Sequence, residues 1–187
     1  MTTERIIAKR TLYNGIIFRS RLEARYAIFF DEVGIKYDYE KSFEMRYNIK
    51  YTPDFILHNV KWRGQDADHY IGKPGQPVFV EVKGVDRYQD ISIDERTRIE
   101  LFAEDHPLLI LGVMPAEART APKDDDLLFS YYFMDRDMHG CFFTKHNGEI
   151  WIAGKGQPEF DEMLERELSI ARQARFNDNE DLLCEEW

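Results

Sequence analysis

The chain has 187 residues, one domain's worth by length, and a net charge of -10. Hydrophobic residues make up 43% and aromatics 14%, enough to build a core, which excludes gross disorder. Taken alone, the acidic balance argues against a protein that coats nucleic acid by bulk charge.

Two cysteines, Cys141 and Cys184, are too few for a zinc cage or a disulfide-dense secreted scaffold. The opening MTTERIIAKR has no long apolar run, and no stretch reaches the ~18 apolar residues of a membrane span. A reduced, soluble, cytoplasmic protein with no membrane partner is therefore expected. The charge is unevenly spread. Residues 1–30 carry six basic and two acidic side chains, whereas residues 155–187 carry four basic and ten acidic ones. A basic N-terminal segment hides inside an acidic total.

In chain order, residues 20–33 read as a helix. Ser20 is the N-cap, Glu23 completes a capping box, and Gly34 ends the run. Residues 36–45 alternate as a strand, and 47–57 form a second, with Pro53 marking an edge, a bulge or a start. A long polar connection, 59–76, follows. The β-branched run at 77–83 predicts a buried strand, 92–104 a helix capped by Ser92 and Glu95, and 108–114 a central strand. A helix joining the last two strands implies a parallel crossover. After a polar loop at 115–126, residues 128–134 and 141–153 read as strands, with a hairpin turn at Asn147-Gly148. Residues 158–175 read as a helix opening on Pro158, with a core stripe of Phe160, Leu164, Leu168 and Ala171.

The residues that carry chemistry are Asp54, Glu81 and Lys83. A bare acid-x-Lys triplet is uninformative, but Glu81 and Lys83 lie two apart on an apolar strand and so share one face. Charges on such a strand need a reason. Two carboxylates offering oxygen ligands suit Mg²⁺ or Mn²⁺. A lysine beside them can orient and help deprotonate a water, or stabilise developing phosphate charge. The alternative is a solvated Glu81–Lys83 salt bridge. Glu23 shares a helix face with Tyr26, Ala27 and Phe30, where an uncompensated carboxylate is costly. A metal or Lys83 is the expected compensation.

Four blocks, 19–23 (RSRLE), 37–40 (YDYE), 51–55 (YTPDF) and 80–84 (VEVKG), together resemble the PD-(D/E)xK nuclease superfamily. The likeness covers residues 13–113. It is nearest to small phage and bacterial members and to the endonuclease subunits of cut-and-paste transposases. The resemblance implies an α/β, restriction-endonuclease-like αβββαβ core with a mixed sheet in residues 1–127. Residues 128–187 are expected to form a C-terminal β-hairpin and helix appendage, packed on the core and ending in an acidic tail. It further implies metal-dependent hydrolysis of DNA phosphodiesters, with Mg²⁺ or Mn²⁺ held by Glu23, Asp54, Glu81 and the Val82 carbonyl, and with Lys83 catalytic. Glu40 matches a family position that a solvated strand residue would fill equally well. Arg96 and Arg98 stand where many members carry Gln or Lys. With Lys9, Arg10, Arg19 and Arg21, Arg96 completes the expected DNA-contacting set.

Residues 128–187 are open to a homodimer or a partner protein. Two rivals remain: a non-cutting DNA-processing or regulatory subunit, and an acidic DNA mimic. The five histidines lie too far apart for a zinc site. Trp62, Arg63 and Tyr70 could stack on bases, and Asp124, Asp125 and Asp126 read as a solvated loop.

Overall fold

In the computed structural model the described residues are 8–44, 48, 50–63, 76–85, 88–106, 108–114, 130–134, 137–154 and 162–176. They form a mixed α/β fold of three helices, one large mixed sheet and two small two-stranded sheets. The first element among the described residues is a hairpin absent from the expected elements, β1 (Thr11–Tyr13) on β2 (Ile16–Phe18). Asn14 and Gly15 both take positive φ at its turn, which is the geometry a two-residue hairpin needs.

Helix α1 (Arg21–Val33) starts and stops where its end signals put it. The Ser20 side chain accepts from the Glu23 N–H, and Gly34 closes the helix in the left-handed region at φ 84°. The expected strand 36–45 is split into β3 (Tyr37–Tyr39) and β4 (Phe43–Glu44). Glu40 breaks it by taking a positive φ of 51°. The expected strand 47–57 is likewise split into β5 (Lys50–Tyr51) and β6 (Phe55–Leu57), with Pro53 in the gap. Part of the supposed loop is β7 (Val60–Arg63); Tyr70 lies outside the described residues.

The centre follows expectation more closely. Strand β8 (Val78–Val82) and strand β9 (Leu108–Leu111) are parallel, joined through a short 3₁₀ turn (Tyr88–Asp90) and α2 (Ile93–Ala103). Strands β10 (Ser130–Met134), β11 (Asp137–His146) and β12 (Glu149–Gly154) extend the sheet. Asn147 and Gly148 form the expected turn between β11 and β12, again with positive φ at both positions.

The final helix is shorter than expected. A two-residue strand, β13 (Glu162–Met163), pairs with Thr144–Lys145 of β11, and α3 (Glu165–Gln173) begins only after it. Ladder pairing to β11 claims residues that look helical in isolation. Pro158, Phe160, Asp124, Asp125, Asp126 and Cys184 lie outside the described residues.

The large sheet runs β3-β6-β8-β9-β10-β11-β12-β7, with β13 also on β11. Two residues, His58 and Asn59, separate β6 from β7, yet these strands stand six places apart in that order. In a flat sheet six places would be roughly 29 Å, at about 4.8 Å per strand. Three Cα–Cα steps reach at most about 11 Å, so the sheet must curl. The corner is visible in β11: residues 137–140 pair with β10, and residues 141–146 pair with β12.

α1 is clasped in this curl and buries Ala24, Tyr26, Ala27, Ile28, Phe29, Phe30 and Val33. Phe30 meets Phe55 edge-on at 5.2 Å and Phe143 at 6.1 Å, so strands from both ends of the curl close on one ring. Phe55, Leu57, Val80, Val82, Leu109 and Leu111 face α1, along with Leu164, Leu168 and Ala171. The alternating residues Ile56, Phe79, Leu108 and Ile110 face the other way, onto Tyr51, Ile99 and Phe102. Strand alternation thus assigns Asp54, Glu81 and Lys83 to the α2 side.

Candidate active site

The antiparallel register of β6 on β8 pairs Phe55 with Val80, Ile56 with Phe79 and Leu57 with Val78. Carried on by one residue, it sets Asp54 directly opposite Glu81; carried on by two, it sets Pro53 opposite Val82. Directly opposed side chains start about 5 Å apart at Cβ. Asp54 and Glu81 are only 2% and 5% exposed. Two acids facing each other inside a protein need cations or hydrogen-bond donors.

Each oxygen has a partner. The Arg19 guanidinium bonds Asp54 Oδ1, and the Val82 N–H donates to Asp54 Oδ2 at 2.7 Å. Tyr51 donates its phenol to Glu81 Oε1 at 2.5 Å, and Lys83 Nζ lies 2.8 Å from Glu81 Oε2. Burial drives the Asp54 carboxyl up to about 7, with the facing Glu81 charge adding to the rise; Lys83 and the Val82 N–H oppose it.

Lys83 continues β8, where its N–H donates to the Leu111 carbonyl at 2.8 Å. Its Nζ sits between Glu81 and Glu95, 2.6 Å from Glu95 Oε1. Burial alone would lower its proton affinity. Glu81, Asp54 and the hydrogen bonds to Glu81 and Glu95 outweigh burial, and the amine is held protonated beyond the ordinary lysine range.

Glu95 therefore does more than cap: Ser92 still accepts its N–H, while its carboxylate reaches across to the lysine. At the helix position where Arg96 and Arg98 were the candidates, the acid meets Lys83. Arg96 instead lies over the Tyr88 ring at 5.7 Å, and Arg98 Nε donates to the Asp94 carbonyl.

Glu23 arrives from α1 on the opposite side of the sheet. It is 7% exposed, and Lys83, which pairs with Glu81 and Glu95, is not its partner. Ser20 Oγ donates to Oε1 at 2.7 Å, and Tyr39 donates its phenol to Oε2 at 2.6 Å. The Arg19 N–H donates to Oε2 at 3.2 Å. Arg19 ties this group to the other acids: its Nε is 4.0 Å from Glu23 Oε2 and 2.7 Å from Glu40 Oε1, while Nη2 holds Asp54. Asp54, Glu40 and Glu23 raise the proton affinity of Arg19 against the cost of its partial burial.

The sequence alone does not single out Tyr39, Tyr51 or Glu95 as site residues. Tyr39 and Tyr51 stand inside the motif blocks and Glu95 in the first turn of α2, but their partners lie 12 to 30 positions away. The one usable sign is that tyrosines stand close to acids in the sequence: Tyr39 between Asp38 and Glu40, and Tyr51 three residues before Asp54.

The remaining basic candidates are scattered around the same end of the chain. Lys9 and Arg10 are exposed just before β1, and Arg21 is half-buried in the first turn of α1. Outside this region, His58 Nε2 and Lys41 Nζ both meet Asp38 Oδ2, at 2.8 and 2.6 Å, in a solvated cluster.

Among the described residues no three His, Cys, Asp or Glu side chains converge closely enough to hold a metal ion as they stand. Mg²⁺ asks for less, since it is commonly held by one or two carboxylates plus waters and substrate phosphate. Asp54 and Glu81 meet that requirement. The backbone adds a third oxygen. Val82 turns its N–H toward β6, where the register sets Pro53 opposite, and proline has no N–H to give the Val82 carbonyl. Arg19 already marks the place as one where a cation binds Asp54. The donor set fits a hard divalent ion.

No helix among the described residues is long and apolar enough to cross a membrane. No family model, curated protein or solved structure matches the chain.

Proposed function

We propose that this chain is a divalent-metal-dependent deoxyribonuclease of the PD-(D/E)xK, restriction-endonuclease-like type, of phage or mobile-element character. One observation carries the proposal. Two buried carboxylates, Asp54 and Glu81, oppose each other in strand register, with Lys83 two residues on and the Val82 carbonyl between. The order α1, strand, strand, β8, α2, β9 supports the nuclease core, although two of its strands are broken.

In this role Asp54, Glu81 and the Val82 carbonyl hold Mg²⁺ or Mn²⁺. The bound ion supplies an acidified water and neutralises phosphate charge. Asp54 and Glu81 fix the position of the ion from rigid, paired backbone rather than from loops. Lys83 is protonated and braced on two sides, which favours electrostatic stabilisation of the phosphate over proton abstraction from water. Tyr51 and Glu95 orient Glu81 and Lys83; Tyr39 orients Glu23.

The test is supercoiled plasmid with Mg²⁺, comparing the parent protein with Lys83→Ala. Metal-dependent nicking that Lys83→Ala lacks is expected. Equal cleavage by both proteins would sink the site assignment.

One observation favours a second reading, a non-cutting DNA-processing subunit. The carboxylate oxygens are already engaged by Arg19, Tyr51, Lys83 and a backbone N–H. That reading predicts DNA binding without cleavage in Mg²⁺ or Mn²⁺.

A further inference from the structure

Arg19 opens the first motif block but stands outside the catalytic and metal-ligating set. It sits on the bend between β2 and α1, and its backbone N–H is fixed twice, by Tyr39 Oη at 2.9 Å and by Glu23 Oε2 at 3.2 Å. Its guanidinium is not fixed in this way. It lies 55% exposed while gripping an Asp54 side chain that is 3% exposed. A planar fork that meets Asp54 and Glu40 at once can also meet a phosphodiester, whose two free oxygens offer the same geometry. Asp54 is also the group for which a divalent ion must compete.

We propose that Arg19 is an exchangeable counter-cation: it neutralises Asp54 while no divalent ion is bound, yields that carboxylate to the ion, and then turns to the substrate phosphate. The exchange rests on the metal-dependent nuclease reading. It has an electrostatic reason on both sides. Before metal, leaving Asp54, Glu81 and Glu23 uncompensated would carry the cost of unpaired buried charge. After metal, a guanidinium held against the same carboxylate would be repelled by the ion. A rigid anchor at the backbone with a long side chain lets one residue serve both states. The Glu40 contact gives the guanidinium a stopping place near the solvent rim.

The experiment titrates Mn²⁺ by calorimetry into the intact chain and into Arg19→Gln and Arg21→Gln, without DNA. A melting curve checks that each variant is folded. Arg19→Gln is expected to bind Mn²⁺ roughly fivefold tighter, because the competing pair is partly exposed and of ordinary strength. Arg21→Gln removes the same charge nearby and is expected to stay within about twofold of the parent. In Ca²⁺, a hard oxygen-seeking ion used here to permit binding rather than cutting, Arg19→Gln is expected to lose most of the metal-dependent gain in duplex affinity that the parent shows.

Unchanged or weaker Mn²⁺ binding by Arg19→Gln overturns the exchange, as does tightening of equal size in Arg21→Gln or a full Ca²⁺-dependent gain in DNA affinity without Arg19. If the parent binds Mn²⁺ and cuts DNA while Arg19→Gln matches it, the exchange alone fails. If no variant and no parent binds Mn²⁺, the nuclease reading fails with it.

Discussion

Replacing Asp54 with asparagine is expected to stabilise the metal-free protein while destroying its metal site. Asp54 is 2% exposed and faces Glu81, and burial with that facing charge carries its carboxyl from 3.8 up to about 7. Between those values the folded chain keeps a proton that the unfolded chain releases. The stability contributed by protonated Asp54 is therefore full below about pH 4 and is lost as pH rises toward about 7. Each tenfold change in proton affinity is worth about 1.4 kcal/mol, which caps the loss at about 4 kcal/mol. Asparagine still offers an oxygen to the Val82 N–H but forfeits the Arg19 pair, worth about 1 kcal/mol or less at this exposure. The net gain at pH 8 is therefore at most about 3 kcal/mol, or roughly 6–12 °C in melting temperature for a chain of this length. Thermal unfolding in EDTA from pH 4 to pH 8.5 measures it. The gain should vanish near pH 4 and grow with pH, and Mn²⁺ should stabilise the parent but not the variant. A variant less stable than the parent at pH 8, or a gain flat across pH, would refute the like-charge account of the site.

Tyr51→Phe removes the donor on Glu81 Oε1, leaving a buried acceptor short of a partner. A loss of about 1–3 kcal/mol and about tenfold weaker Mn²⁺ binding are expected by urea denaturation and calorimetry. Phe30→Ala empties a fully buried site between Phe55 and Phe143 and should cost about 3–5 kcal/mol in the same denaturation assay. Gly148→Ala meets no atom within 4 Å, so its effect isolates the left-handed backbone at φ 76°. A loss of about 1 kcal/mol, with strand pairing retained by NMR, is expected.

Local signals were legible where the answer is itself local. Ser20 and Gly34 bracket α1 because a cap bonds within its own turn. Asn147-Gly148 makes its hairpin because both residues tolerate positive φ. Asn14-Gly15 carries the same signal and turns the β1–β2 hairpin for the same reason. The apolar runs at β8 and β9 are buried on both faces, so their composition alone points to interior strands. What was not legible depends on partners far along the chain. β7 is polar in sequence and becomes a strand through β12, about ninety residues on. Glu162–Met163 leaves the expected helix because Thr144–Lys145 offers it a ladder. The site divides in the same way. Strand alternation predicts that Glu81 and Lys83 share a face, and cross-strand register then brings Asp54 to them. The cost of burying Glu23 alone suggests a metal or Lys83 beside it. Tyr39 meets that cost from a different strand, and a phenol sixteen residues away leaves no periodic trace in the sequence.

The measurement closest to the central claim is a crystal structure of the Mn²⁺-soaked protein with anomalous data collected at the manganese edge. One peak or a close pair is expected between the Asp54 and Glu81 carboxylates and the Val82 carbonyl, at about 2.1–2.3 Å from the donor oxygens, with Lys83 still braced by Glu95. Anomalous density only at surface acids, with Arg19 undisturbed on Asp54, would contradict a metal-dependent nuclease built on these residues.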